Sequence, residues 1–314
     1  MGRGIANVLA SNGHRVAIVD RDLDIAERAK DVIRADLEVA TEEGFLATQE
    51  LELVLARITP TGDLARAVAG AAFVVEAVPE DVQVKLDVWR RLDDLAEEEA
   101  ILATNTSSFD VNEIANVVER HRERIIGTHW YNPAHIIPCV EVVPAGTTSQ
   151  QTVDTTVALL RKLGKEPAIT KSVPGFVGNR IQLVMAAEAY RCVEQGIATA
   201  EDVDSIVRSS FGFRLGAFGP LRVSDLAGLD VYLGVYDYLT ARCGDPWYEA
   251  PRLLRDLVGQ GRTGVKSLAG VYEYSSEEAD RLRAERDRAL YRQLRVYRDD
   301  RAASQPEHRD IGAS

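Results

Sequence analysis

Gly2-Arg3-Gly4-Ile5-Ala6 opens a helical stretch that gives way to an apolar, β-branched run, Arg15-Val16-Ala17-Ile18-Val19, ending in Asp20. A helix that feeds a buried strand with a carboxylate at its carboxyl end is the arrangement found after the phosphate turn of a dinucleotide-binding fold. Three glycines in that motif serve a tight turn, the approach of backbone to a pyrophosphate, and close helix–strand packing; Gly2 takes the third role. The strand and glycines that precede it in the motif are absent. Met1 is therefore expected to be an internal methionine of a longer reading frame. As written, the sheet lacks its first, central strand, which would bury unpaired backbone groups on both neighbours. Asp20 is placed to accept from a ribose 2′-hydroxyl and to repel a 2′-phosphate, favouring NAD over NADP; a capping aspartate after a strand is the other reading of that residue.

Working outward, further apolar β-branched runs follow: Phe73-Val74-Val75-Glu76-Ala77-Val78, Ile101-Leu102-Ala103-Thr104, Ile125-Ile126-Gly127-Thr128 and Cys139-Val140-Glu141-Val142-Val143. Helical periods lie between them, from about Val84 to Glu98 and from Ser149 to Leu163. Strands alternating with helices predict parallel βαβ units, hence a Rossmann-type doubly wound α/β sheet covered on both faces. After Pro174-Gly175 the pattern turns helical: Phe176 to about Gln195, Ala200 to Val207, a helix from near Leu229, and a charged one from Glu277 to about Arg295, followed by a tail of disordered character. The expected domains are residues 1–173, binding the dinucleotide, and residues 174–314, an all-helical substrate and dimerisation domain.

A chain of 314 residues suits two domains. With 46% hydrophobic and 27% charged residues it has the balance of a globular protein, and no apolar run reaches the ~20 residues of a membrane helix. The start lacks a charged-then-apolar leader, so a cytoplasmic location is expected. A net charge of −12 without a basic cluster disfavours nucleic acid as a partner. Cys139, Cys192 and Cys243, odd in number and far apart, read as reduced, small buried hydrophobes. No residues are assigned to a metal.

Three polar stations stand at the ends of apolar runs: Asn105-Thr106-Ser107-Ser108; His129 with Glu141 twelve residues later; and Pro174-Gly175-Phe176-Val177-Gly178-Asn179-Arg180. A histidine, a carboxylate, a hydroxyl and an amide are the groups needed to take a proton from a secondary alcohol while holding a nearby carbonyl. Singly, each has a plainer reading. A lone His at a strand end, such as His129, is more often structural or solvated, Asn105–Ser108 reads as a helix cap built on Ser108, Asn179 as a local capping amide, and Glu141 as an edge residue. His14, His121, His135 and His308 have no such setting and read as surface or loop residues, and Glu97-Glu98-Glu99 as a solvated helix end.

Taken together, Gly2-x-Gly4-Ile5-Ala6, Val75-Glu76-Ala77-Val78-Pro79-Glu80, Asn105-Thr106-Ser107-Ser108, His129-x-x-Asn132-Pro133, Glu141, Pro174-Gly175-Phe176 with Asn179-Arg180, Gly219-Pro220, Asp225 and Gly228-Leu229-Asp230 resemble the 3-hydroxyacyl-CoA dehydrogenase family. The resemblance runs from Gly2 to about Tyr274. It implies an NAD-dependent oxidoreductase of fatty-acid metabolism, with His129 as general base, Glu141 as its partner, and Ser107 and Asn179 holding the reacting oxygens. It further implies Gly2, Asp20, Glu76, Lys85 and Asn105 at the cofactor, a small-molecule substrate, and a homodimer through the helical domain.

Two departures bear on the substrate. CoA-using members carry a lysine-rich helical pair where residues 35–56 here hold Asp36, Glu38, Glu42, Glu43, Glu50 and Glu52 and no lysine or arginine, although Arg34 and Arg57 flank the segment. Six acids would repel a polyanionic CoA tail. His129-Trp130-Tyr131-Asn132-Pro133 and Phe211-Gly212-Phe213-Arg214 are similar to a branch, λ-crystallin-like, that includes dehydrogenases of small 3-hydroxy acids such as gulonate or carnitine. There Arg214 would clamp a free carboxylate near the interdomain cleft; a surface arginine is the alternative. Leu268 stands where relatives usually show glycine. Two rivals remain: an enzyme of the same chemistry on a free 3-hydroxy acid, and a non-catalytic, cofactor-poor relative. A lysine-based β-hydroxyacid dehydrogenase leaves the His129–Glu141 pair without explanation.

Overall fold

The computed structural model describes residues 1–304. They form two compact units, one of residues 1–186 and one that begins at Ala187.

In the first unit, helix α1 (Gly2–Ser11) leads to β1 (Val16–Val19), α2 (Leu23–Glu42), α3 (Leu51–Ala56), β2 (Ile58–Thr61), α4 (Leu64–Val68) and β3 (Phe73–Glu76). Then come α5 (Val82–Leu95), β4 (Ile101–Thr104), α6 (Val111–Ala115), β5 (Ile125–Trp130), β6 (Cys139–Pro144), α7 (Gln150–Lys162), β7 (Glu166–Ile169) and α8 (Gly178–Glu194), in which the unit ends. Alternate residues of the strands feed opposite faces, as the pleat requires. Leu102, Ile125 and Val143 join Trp89, Leu92 and Ile114 of α5 and α6 in one core, whereas Ala103, Ile126, Val140 and Val142 join Ile5, Val8, Val153 and Leu160 of α1 and α7 in the other. Helices thus cover both faces, and the architecture is the Rossmann-like α/β one. A third core, with Ile33, Leu37, Val54 and Leu55, seals α2 and α3 against α1.

Two features differ from the sequence reading. The strands are not all parallel: β3, β4 and β5 are, but β6 runs antiparallel to β5 before β7 pairs parallel to β6. Residues 131–138 between β5 and β6 are too few for the helical crossover that a parallel neighbour needs. The sheet also falls into two pieces, β1–β2 and β3-β4-β5-β6-β7. Among the described residues, no strand pairs with the free side of β1 or of β3. Along them Ala17 is exposed, Val16, Ile18, Val19, Phe73, Val74 and Val75 are half-buried, and Glu76 is buried.

The second unit is helical, with α9 (Ala200–Ser209), α10 (Phe211–Leu215), α11 (Pro220–Ala227), α12 (Leu229–Cys243), α13 (Arg252–Gly259) and α14 (Ser276–Ser304), the last reaching nine residues past its expected end at Arg295. Its buried centre joins Val265, Tyr274 and Ala279 with one carboxyl group. The Asp225 carboxylate, 1% exposed, accepts from the Val271 and Tyr272 amides and from the Tyr274 hydroxyl at 2.9, 3.1 and 2.8 Å. A β-carbon at Gly270 would lie 2.3 Å from that carboxylate. Leu268, nearby in the chain, has φ +59°, the left-handed region that favours glycine.

Three smaller expectations are corrected. Cys139 and Cys192 are half-buried and Cys243 exposed, so none is a fully buried hydrophobe. His121 is not a surface residue: it is 1% exposed, with Nδ1 2.8 Å from Asp93 Oδ1 and Nε2 2.9 Å from the Glu97 carbonyl. The cap of α6 is Asp110, whose carboxylate takes the Asn112 amide, not Ser108. His308 and the tail beyond Ser304 lie outside the described residues. Among the described residues no helix is long and apolar enough to cross a membrane, and no three His, Cys, Asp or Glu side chains group to hold a metal.

Candidate active site

His129 and Glu141 are direct partners across the β5–β6 ladder, both 4% exposed. A carboxylate can only accept, so His129 Nδ1 carries the proton of their 2.7 Å bond, leaving Nε2 without a partner among the described residues. Tyr131 O–H donates to the same oxygen, Oε2, at 2.7 Å, while Oε1 accepts the Val177 and Gly178 amides at 2.9 and 3.1 Å. Those amides belong to the start of α8, where the helix dipole also favours an anion. Burial works to raise the Glu141 carboxyl, but the four donors outweigh it and bring it down to about 2. Burial and the neighbouring carboxylate push the Tyr131 phenol well above its ordinary range. The turn that delivers the two amides contains Gly175 at φ +75° and Phe176 at φ +46°, a strained setting for a phenylalanine. Its ring is fully buried, 5.5 Å from that of His129.

The three polar stations are tied together. Asn105 Oδ1 accepts the Trp130 amide at 3.0 Å, fixing the end of β4 beside His129. Asn179 Nδ2 donates to the Ser107 carbonyl at 3.0 Å, and the third link is that of Val177 and Gly178 to Glu141. Ser107 is half-buried, and its hydroxyl has no hydrogen-bond partner among the described residues. Its amide donates to Glu80 Oε1 at 2.6 Å, and the same carboxylate takes the Thr106 hydroxyl at 3.0 Å. Glu80, Thr106, Tyr131 and Gly178 were given no role from the sequence.

Glu76 and Lys85, expected at the cofactor, are buried against each other, 4% and 2% exposed with Nζ–Oε1 at 2.9 Å. Glu76 also accepts from the Val78 amide, the Trp89 indole and the Thr104 hydroxyl, so each of its oxygens has two donors. Lys85 reaches on to Glu80 at 3.5 Å. The pair is tied to the Asn105–Ser107 loop by the Asn105 amide, which donates to the Glu76 carbonyl at 2.8 Å, and through Glu80, which accepts from Thr106 and Ser107. Arg214 is exposed on α10 in the second unit.

Gly2 and Asp20, expected at the dinucleotide, sit on α1 and at the end of β1. A β-carbon at Gly2 would touch Ala77 at 3.6 Å, and one at Gly4 would crowd Ala134 at 3.1 Å, so α1 packs close on its neighbours. Asp20 is half-buried at the end of β1, and its carboxylate has no hydrogen-bond partner among the described residues. A free acceptor there fits a ribose hydroxyl.

Residues 1–173 match the family model for the 3-hydroxyacyl-CoA dehydrogenase NAD-binding domain, and residues 175–274 that for the C-terminal domain. The chain belongs to the 3-hydroxyacyl-CoA dehydrogenase family. NAD is the cofactor of this dehydrogenase. It is 38% identical over 274 residues to a probable 3-hydroxybutyryl-CoA dehydrogenase of Deinococcus radiodurans, covering 87% of this chain and 96% of that one. It is 35% identical over 297 residues to 5-formyl-3-hydroxy-2-methylpyridine 4-carboxylate 5-dehydrogenase of Mesorhizobium japonicum, covering 94% of each. Among solved structures, a 3-hydroxyacyl-CoA dehydrogenase of Archaeoglobus fulgidus superposes with a TM-score of 0.75 at 35% identity, covering 95% of both chains.

Proposed function

We propose that this dehydrogenase oxidises the 3-hydroxyl of a 3-hydroxyacyl-CoA to a 3-oxo group, reversibly. The reading is carried by the unpartnered Nε2 of His129, whose other nitrogen is held by Glu141 at 2.7 Å. NAD, when bound, supplies the hydride acceptor. His129 Nε2 takes the hydroxyl proton as the C–H bond gives up its hydride, and Glu141, anionic at neutral pH, stabilises the resulting imidazolium. The Ser107 hydroxyl is the group free to hold the reacting oxygen, and Asn179 positions it by gripping the Ser107 carbonyl. Asp20, Gly2 and Asn105 face the NAD side of the reaction, with Glu76 and Lys85 acting through the loop tied to them. A homodimer through the helical unit is supported by Val231, Val235 and Tyr238, which are 55%, 54% and 62% exposed at helical spacing on α12.

A second reading, oxidation of a free 3-hydroxy acid, is favoured by the acidic segment 35–56. Arg57 donates to the Ala10 carbonyl at 2.9 Å, while Arg34 pairs with Glu52, one of the six acids, which leaves the segment with five unpaired by it. The relative whose name specifies a pyridine carboxylate is consistent with it.

NADH formation with 3-hydroxybutyryl-CoA and with free 3-hydroxy acids, His129→Ala as control, tests both. Turnover of the thioester that His129→Ala abolishes supports the first reading. Turnover of free acids alone replaces it with the second, and Arg214→Ala then reports whether that arginine binds the carboxylate. Absence of turnover together with absence of NAD binding leaves a non-catalytic relative.

A further inference from the structure

Glu141 Oε2 serves two side-chain donors at equal distance, His129 Nδ1 and Tyr131 O–H, each at 2.7 Å. The two rings lie 4.8 Å apart, tilted by 55°. The tyrosine hydroxyl reaches that oxygen only because residue 178 has no side chain: a β-carbon there would lie 1.6 Å from the hydroxyl and 2.6 Å from Cζ. Gly178 is not among the glycines with positive φ, so space, not backbone freedom, is what it supplies.

We propose that Tyr131 is a positioning residue that tempers the basicity of His129 by sharing Glu141 Oε2 with it, and that Gly178 is bare in order to admit the tyrosine hydroxyl. The proposal rests on the reading of His129 as the base. A carboxylate oxygen that already accepts one strong hydrogen bond offers less charge to a second donor, and charge-assisted bonds are the ones where this matters most. Removing the hydroxyl returns that charge to Nδ1–H and favours the imidazolium. The groups acting on this cluster are few. β6 contributes Glu141 and the Cys139 thiol, the segment after β5 contributes Tyr131, and the turn before α8 contributes two amides and the Phe176 ring.

The experiment is an NMR titration of the His129 imidazole, assigned among the five histidines by its loss in His129→Ala. It needs no substrate. In Tyr131→Phe the midpoint is expected to rise by about half a unit to one unit, the scale of part of one charge-assisted hydrogen bond. The acid limb of the kcat/KM profile for alcohol oxidation rises with it. Gly178→Ala, which evicts the hydroxyl, is expected to give a similar rise alone and no further rise in the Tyr131→Phe background. An unmoved midpoint in folded Tyr131→Phe overturns the proposal, as do rises from the two substitutions that simply add. If Tyr131→Phe does not fold, Gly178→Ala alone reads the same coupling. A shifted midpoint in a protein that turns over no 3-hydroxy substrate sinks the proposed reaction while leaving the Tyr131–Glu141–His129 linkage in place.

Discussion

His129 and Glu141 face each other as register partners on two antiparallel strands, with Thr128 opposite Val142 and Trp130 opposite Val140 on either side. Their twelve-residue separation in sequence is therefore a property of a strand–loop–strand unit. A slip of one residue would turn Glu141 to the other face of the sheet and break the pair.

Glu141→Gln is expected to lower kcat/KM by about 10²–10³, within the range for loss of a group that supports general base catalysis. Its carboxyl lies near 2 in the fold against an ordinary 4.5, so the stability it contributes is fully present above pH 4.5 and disappears as pH falls toward 2. Urea denaturation should find wild type more stable than Glu141→Gln at neutral pH, with the gap narrowing across that window. A gap that does not depend on pH would contradict the assignment.

The Asp93–His121 pair touches none of the residues of the site and should act on stability alone. Burial works to raise Asp93, but His121 and the amides of Glu119 and Arg120 hold it below the usual aspartate range. Its stabilising contribution is thus present above the ordinary value of 3.8 and lost as pH drops below it. Asp93→Asn, which weakens the bonds that Asp93 accepts from His121 and the Glu119 and Arg120 amides, should cost about 1–3 kcal/mol by chemical denaturation at neutral pH. Its kcat at a temperature where the variant is folded should match wild type.

Lys85→Met leaves the buried Glu76 charge uncompensated and should destabilise by about 3–5 kcal/mol, whereas the double variant Glu76→Gln with Lys85→Met should recover part of that loss. Because the pair is tied to the Asn105–Ser107 loop, both proteins should also show a raised KM for substrate. Equal stability of single and double variants would show that the two side chains do not depend on each other.

Leu268→Gly should raise the melting temperature by a few degrees. A leucine held in the left-handed region costs roughly 1–2 kcal/mol, more than the backbone entropy that glycine adds to the unfolded chain. Leu268 is 39% exposed, so little packing is forfeited. A fall in melting temperature would mean that its side-chain contacts outweigh the strain.

The central strands were legible in the sequence because β4 and β5 are buried on both faces and show as unbroken apolar runs ending in the polar stations. β2 and β7 were not, and the reason is compositional. Ile58-Thr59-Pro60-Thr61 and Glu166-Pro167-Ala168-Ile169 each hold a proline, tolerated because each strand pairs on one side only. Local pattern also missed the reversal at β6, which depends on the length of a connection. At the site, His129, Glu141, Ser107 and Asn179 were visible as polar groups in unusual places. Tyr131 was not, since its partners Glu141 and Gly178 are distant in sequence, and its role appears only once Gly178 is brought against it. His121, set among Glu119, Arg120, Arg122 and Glu123, has the local character of a surface turn; its burial comes from Asp93, distant in sequence.

The Asp225 carboxylate makes the second unit indivisible. Three of its donors come from residues 271–274, the last stretch matched by the C-terminal family model. A chain cut just before Val271 would leave a buried carboxyl group without its donors, at a cost of about 1–3 kcal/mol for the unsatisfied group, a large share of the stability of a small domain. The shortest fragment of this unit able to fold cooperatively therefore has to extend past Tyr274, and a protease that clips between Asp225 and Tyr274 would be expected to unravel it whole instead of trimming it.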